Sequence, residues 1–313
     1  MLHLRLRVPD DLTERVLALL AEDQTVTNVA VLDAGFRKPT GTLVLADVAR
    51  ENASGVVGRL NDLDLQRCGS ITIDESDTVL SDEAVRAEQA APGAPDDGVV
   101  WVQVENRLRA DARLSWVFVT FMTLAALIAG VGRILDQPIL IVGAMVVGPE
   151  FTPVAAICFA LARPRPALLR PALRTLVTGY VVAVAVATLV WAVAYRLGAF
   201  TRHQAATGRL TEFIVSPDGW SFAVACLAGI AGTLALTTAK SGPLVGVFIS
   251  ITTIPAAGTV AVCLAAGVWS EVGSALTQLG VNILGLIVSG TVTLLVQRGV
   301  WRRVAPAHAA MTR

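Results

Sequence analysis

Charged side chains are scarce in this chain, at 16% of 313 residues, and aromatic ones are scarcer still, at 5%. Together with 54% hydrophobic residues and a mean hydropathy of +0.63, that deficit excludes a single soluble globule, a disordered chain and a basic nucleic-acid binder. The four cysteines, Cys68, Cys158, Cys226 and Cys263, form no CxxC pair, which removes a disulfide framework and a zinc site. The three histidines, His3, His203 and His308, lie outside the apolar runs, so no intramembrane metal or catalytic cluster can be built from them. Ala239-Lys240-Ser241 lacks the glycines of a phosphate loop, which argues against an ATP-driven pump. No GxSxG motif and no paired carboxylates occur in the apolar runs, so neither an enzyme nor a cofactor is expected. The opening MLHLRLRV has no continuous apolar core, and the reading is that no signal peptide is cleaved and the polar half stays in the cytoplasm.

What is present is strongly divided. Residues 1–113 hold 20 of the 25 acids and 12 of the 25 bases, net −8, which leaves 5 acids and 13 bases, net +8, for residues 114–313. The first 77 residues alternate apolar and polar positions at Leu2 to Val8, Val26 to Leu32, Gly41 to Val48 and Ser70 to Asp74. Helical spacing separates these strands, with Leu12, Val16, Leu19 and Leu20 on one face of the first helix and Glu51 to Leu63 forming the second. The order β-α-β-β-α-β predicts a cytoplasmic ferredoxin-like α/β domain over 1–77. Residues 78–98, including SDEAVRAEQAAPGAPDDG, read as a linker. In 99–113, Trp101, Val104 and Leu108 recur at helical spacing beside Arg107, Arg109 and Arg113. That pattern fits an interfacial helix or a simple extension of the first span.

Six nearly uncharged runs follow, at 114–132, 137–162, 175–195, 219–239, 241–270 and 272–297, within a six-helix transmembrane domain over 114–300 and before a cytoplasmic tail at 301–313. Each run suffices for a hydrocarbon core of about 30 Å. The second and fifth contain proline near their middles, Pro149 and Pro153 in one and Pro255 in the other, which predicts two broken helices. Breaks could also mean re-entrant hairpins, and loop charge decides between the two. Six crossings place eleven basic residues inside against four outside, whereas hairpins give nine against six. Both termini are therefore expected in the cytoplasm, with the chain in the cell (inner) membrane.

Residues 138–162 lie without gaps on residues 243–267, with five identities in 25, including Pro138/Pro243 and Cys158/Cys263. Flanking runs correspond in order and length, which predicts a three-plus-three inverted repeat whose broken helices meet near the midplane. At these residues, PILIVGAMVVGPEFTPVAA, AKSGPLVGVFISITTIPAAG and QLGVNILGLIVSG, the chain resembles the prokaryotic membrane family known as domain of unknown function 389, over roughly residues 110–300. The resemblance implies a polytopic inner-membrane protein and names no substrate. Glu150 departs from the apolar residue that the resemblance implies after the motif proline.

The candidate pathway residues are Gly148, Pro149, Glu150, Pro153, Ser250, Thr252, Thr253, Pro255 and Asn282. Glu150 stands between two prolines at the expected midplane, where an ionised carboxylate costs about 2.5 to 3.5 kcal/mol, so it must face a cavity or the bundle. It is expected to bind a permeating cation or carry a coupled proton; alternatively, it satisfies the carbonyls freed by Pro153. The function read from the sequence is a channel or secondary transporter for a small ion or proton-coupled solute. A non-transporting scaffold or sensor is the other reading. In either case the partners are the lipid bilayer and further copies of the chain, through exposed sheet edges and small-residue helix faces.

Overall fold

The computed structural model describes residues 1–75, 81–91, 93, 98–206, 208, 210–212, 218–238, 247 and 252–311. It divides into two compact units, one built mainly on Met1–Val104 and the other on Glu105–Leu236 and Lys240–Arg298.

The first unit is a four-stranded antiparallel sheet in the order β2-β3-β1-β4, formed by β1 (Leu2–Val8), β2 (Val26–Arg37), β3 (Thr40–Val48) and β4 (Ser70–Glu75). Alternation in β1 sends Leu2, Leu4, Leu6 and Val8 into the core and leaves Arg5 exposed. Against that face pack α1 (Thr13–Ala21), through Val16 and Leu20, and α2 (Arg50–Asp62), through Ala53, Val56, Val57 and Leu60. A short helix, α3 (Leu65–Cys68), precedes β4. Strand β2 runs past the expected Leu32 to Arg37, pairing Phe36 with Gly41 and Arg37 with Thr40. Its apolar alternation is lost between Leu32 and Phe36, where a register irregularity accommodates Ala34 at positive φ.

The stretch read as a linker contains α4 (Asp82–Ala90). Ser81 accepts hydrogen bonds from the Glu83 and Ala84 amides, and Asp82 and Glu83 fill the first turn, a helix start that the Ala-rich, acidic composition concealed. Ala84 and Ala87 are buried, and Glu88 pairs with the terminal amine of Met1 at 3.2 Å. Farther on, Gly98 and Val99 accept from Arg50 and Ser54, and Val100 joins the core. Then comes α5 (Trp101–Asp111), which ends before a non-helical turn at 113–115. Ser115 caps the next helix by accepting from the Phe118 amide at 3.1 Å, so α5 is a separate helix and not an extension of the first apolar run.

The second unit is helical: α6 (Trp116–Ile134), α7 (Pro138–Val147), α8 (Phe151–Ala162), α9 (Pro166–Arg196), α10 (Arg202–Ala206), α11 (Gly219–Thr237), α12 (Thr253–Ala266) and α13 (Trp269–Met311). Four of these are long and apolar enough to cross a membrane, and α7 with α8, bent by 55° at a short break, makes a fifth candidate. The apolar helices make this unit that of a membrane-embedded protein in composition and length. Of the fifth apolar run, Val247 and the part from Thr252 onward are described, and the latter contains the shorter helix α12.

Side-chain proximities fix the helix directions. Gly179 of α9 lies against Phe118 of α6 and Gly130 of α6 against Trp191 of α9, so these two helices run the same way. Gly258 of α12 sits against Ala126 and Ala129, and Val262 and Cys263 pack in one core with Ile134, which gives α12 that direction too. Cys158 approaches the Leu286 and Ile287 carbonyls, and Arg298 donates to the Ala162 carbonyl at 3.0 Å, so α8 runs parallel to α13. Gly285 against Ala225 and Gly229 against Ser289 align α11 with α13. The main helices therefore alternate in direction along the sequence. The α6–α9, α6–α12 and α11–α13 approaches each use a glycine, the small-residue packing that brings helix backbones together without a water-driven hydrophobic term.

Trp116, at the start of α6, is 80% exposed, and so is Trp220 at the start of α11, while Trp269 at the start of α13 is 70% exposed. Given the helix directions, the first marks one end of the bundle and the other two mark the opposite end.

Candidate functional site

The break between α7 and α8 follows from its residues. Gly148 ends α7 in an extended conformation, and Pro149 lacks the amide that would continue the ladder to Met145. Glu150 then occupies the N-cap of α8. Pro153 stands third in α8, where a missing amide disturbs no ladder bond within that helix. Helix α12 repeats this arrangement, with Thr252 at the N-cap and Pro255 third. The gapless alignment of the two halves sets Pro255 against Glu150. In the structure the prolines share a helix position, so the counterpart of Pro255 is Pro153 and that of Glu150 is Thr252. Three residues of slip separate the two registers, because each of these helices starts so that its proline falls in the first turn, where a missing amide breaks no ladder bond.

The N-terminal ends of α8 and α12 meet. The Thr253 hydroxyl donates to Glu150 Oε1 at 2.9 Å. Glu150 is 4% exposed, and its Oε2 has no hydrogen-bond partner among the described residues. That oxygen lies against Gly148, where a Cβ would collide with it and would also meet Ile254 Cγ1 at 2.6 Å. The glycine at this position therefore makes room for the carboxylate. The buried Tyr180 hydroxyl of α9 lies close to Glu150 and Thr253. Beside this group, Asn282 Nδ2 donates to Thr252 Oγ1 at 2.5 Å, which ties α13 to the cap of α12.

The sequence-derived residues thus fall into one neighbourhood of two connected parts. Gly148 and Thr253 lie against the Glu150 carboxylate, Pro149 is its neighbour in the chain, and Asn282 bonds Thr252 beside Thr253. Pro153 and Pro255 are buried and set the helix starts. Ser250 and Lys240 lie outside the described residues. Tyr180 was missed, although it is one of only two tyrosines in the chain and sits inside an apolar run, which was signal enough to notice it. Glu150 does not bond the carbonyls freed by the prolines; its hydrogen bond comes from Thr253.

Chemically, the site offers one carboxylate, hydroxyls and the carbonyls of an interrupted helix, a set of hard oxygen donors suited to a proton or a hard cation. Among the described residues, no group of three His, Cys, Asp or Glu side chains gathers in a metal-binding arrangement. Two helix N-termini place partial positive charge around the carboxylate, in the absence of a lysine or arginine partner for it among the described residues.

A second polar constellation, which the loop assignment of the sequence did not reveal, closes the Ile134 end of the bundle. Arg133 is 1% exposed and donates to the carbonyls of Ala205, Ala206 and Thr211 and to the Thr211 hydroxyl. Asp136 accepts from the amides of Leu210 and Thr211 and from the same hydroxyl. Desolvation pushes the Asp136 carboxyl up, but these hydrogen bonds and the Arg133 charge outweigh it and hold the group below its usual range.

Neither a curated protein nor a solved structure matches the chain. The family model described as Domain of unknown function (DUF389) matches residues 145–288, a segment that contains Gly148, Glu150, Tyr180, Thr253 and Asn282. Over that segment the chain is similar to the family that its GAM and TTIPAAG segments resemble.

Proposed function

We propose that residues 114–300 form a membrane domain that conducts or transports a small ion, a cation or a proton-coupled solute, along a pathway through the meeting point of α8 and α12. The observation that carries this reading is Glu150, buried at a helix break between two oppositely directed half-helices, with one carboxylate oxygen unpartnered among the described residues. Interrupted helices whose ends meet inside a bundle supply main-chain and side-chain ligands at a depth where continuous helices supply none.

Depth supports the reading. At 1.5 Å per residue, α7 and α8 extend about 15 and 18 Å from the break, and with a 55° bend they span about 30 Å end to end. That is one hydrocarbon thickness, with Glu150 near its middle. The modest bend also supports a crossing over a re-entrant hairpin, which would reverse the chain. Sidedness agrees: Arg113 before α6 lines one groove with Arg170 and Arg174 of α9, residues that a hairpin would place on opposite faces. The exposed tryptophans at both ends suit interfacial belts. On this reading both termini are cytoplasmic, α5 lies along the inner leaflet, and the chain sits in the cell membrane.

The N-terminal unit is assigned the ferredoxin-like type on its strand order and serves assembly or regulation. Its edge strand β2 exposes Val29, Val31 and Leu32, which favours self-association and leaves room for the second reading, a scaffold or sensor docking a partner there. Purified full-length protein in liposomes, assayed for flux of protons, Na⁺, K⁺ and small anions, separates the two. Flux that is lost in Glu150→Gln supports transport; no flux across the whole panel supports the scaffold.

A further inference from the structure

Arg113, in the turn before α6, and Arg170 and Arg174, one turn apart on α9, line a single groove of about 510 Å³ together with Leu114, Pro171 and Thr175. All three arginines are exposed, and among the described residues none is joined to a carboxylate. Their basic neighbours are. Arg109 and Arg165 share Glu105 at 2.9 and 3.6 Å, and Arg107 approaches Asp111 at 3.9 Å. The local acids are thus committed, and three positive charges converge without compensation. Like charges at i and i+4 on a helix repel, a cost that an anion lodged between them removes.

The groove has an apolar side as well. Leu114 and Pro171 contribute carbon surface, and Trp116, 80% exposed, projects from the next positions of the chain. The charged and apolar parts therefore lie side by side at the beginning of two helices long and apolar enough to cross a membrane. An arginine fork matches the oxygens of a phosphate in paired hydrogen bonds, which a lysine cannot reproduce.

We infer that this groove binds a phosphate group, as presented by the headgroup of an anionic phospholipid, with the guanidinium groups of Arg113, Arg170 and Arg174 holding the oxygens and Leu114 and Pro171 meeting the glycerol and upper acyl carbons. The inference uses the membrane placement of the helices and is independent of transport through Glu150.

The test is native mass spectrometry of the full chain in detergent with dioleoylphosphatidylglycerol or dioleoylphosphatidylcholine, and calorimetric titration with inorganic phosphate. Retention of phosphatidylglycerol is expected to exceed that of phosphatidylcholine and to fall about tenfold or more when Arg170→Gln and Arg174→Gln are combined, the scale of losing charge-assisted hydrogen bonds. Arg196→Gln, an exposed arginine at the far end of α9, should change nothing. A chain with Arg170→Lys and Arg174→Lys keeps the charge and guards against a folding defect; it should retain more lipid than the glutamine variant. Persistence of the lipid adduct in excess phosphate identifies a lipid site. Displacement by phosphate, with calorimetric binding lost in the glutamine variant, identifies the same chemistry supplied by free phosphate. Equal retention of both lipids, unaffected by the glutamine substitutions, together with no phosphate binding, overturns the proposal.

Discussion

The Thr253 hydroxyl reaches Glu150 Oε1 at 2.9 Å across 103 residues of chain, and this one bond joins the starts of two interrupted helices. Among the described residues the other carboxylate oxygen has no partner, which leaves it open to a proton or cation. Glu150→Gln preserves size while removing the charge, so ion flux in liposomes should fall at least tenfold and lose its pH dependence, the scale of a lost interaction with a charged group. Thr253→Ser keeps the donor and should retain most of the flux, whereas Thr253→Val should not. Normal flux with a normal pH profile in Glu150→Gln would remove the carboxylate from the coupling mechanism.

Most of this site was legible because proline and glycine punctuate an otherwise featureless apolar run, and because an acid there has few places to go. The register between the halves was less legible. Counting identities favoured a gapless match, but position in the first turn of the helix, where a proline costs no ladder bond, pairs Pro153 with Pro255. The strand order of the N-terminal unit followed from alternation, yet the end of β2 did not, since the bulge between Leu32 and Phe36 breaks the period of two. Helix α4 hid in a composition that resembles a linker, although Ser81 followed by two acids was a readable cap. Arg133 could not be placed from sequence, because most of its hydrogen bonds go to backbone carbonyls 72 to 78 positions away, which carry no side-chain signature.

Alternating helix directions make a topological prediction. In an otherwise cysteine-free chain, Thr201→Cys should react in intact cells with a membrane-impermeant thiol reagent, while Ala167→Cys should react only after permeabilisation. Thr201 belongs to the Ile134 end of the bundle and Ala167 to the Trp116 end. Labelling of Ala167→Cys from outside would invert the assignment of both termini.

Glycines in this bundle are not equivalent, which gives a paired stability test. A Cβ at Gly258 would come within 2.6 Å of Ala129 Cβ and 2.7 Å of the Ala126 carbonyl, so Gly258→Ala must push α12 away from α6. At Gly273 on α13 a Cβ meets nothing within 4 Å among the described residues. Overpacking costs about 1–3 kcal/mol, whereas alanine gains up to about 1 kcal/mol over glycine inside an exposed helix. Thermal midpoints in detergent should therefore drop for Gly258→Ala and hold or rise for Gly273→Ala. Equal responses would mean that α6 and α12 do not pack backbone to backbone.

The Arg133 and Asp136 constellation predicts a pH response at the end of the bundle opposite Trp116. Asp136 accepts from the Leu210 amide at 3.1 Å and from the Thr211 amide and hydroxyl at 3.0 Å each, and its carboxyl is held below the usual value. A group whose folded value is lowered adds stability that is complete above its unfolded value, about 3.9, and is lost as the pH falls through the lowered folded value. Hydrogen exchange at the Leu210 and Thr211 amides, corrected for the intrinsic rate, should thus be slow near neutrality and lose protection in acid. Asp136→Asn removes the titration and should exchange faster at neutral pH, with no further loss on acidification. Arg133→Met strips the carbonyls of Ala205, Ala206 and Thr211 of a charged donor and should loosen the same segment at every pH, by about 1.5–3 kcal/mol per bond to a charged group before any relaxation. Arg133→Lys should rescue only part of this, since one ammonium cannot reproduce the fork that reaches three carbonyls. Protection at Leu210 and Thr211 that stays constant from neutrality into acid in the unmodified chain would show that Asp136 does not hold this segment.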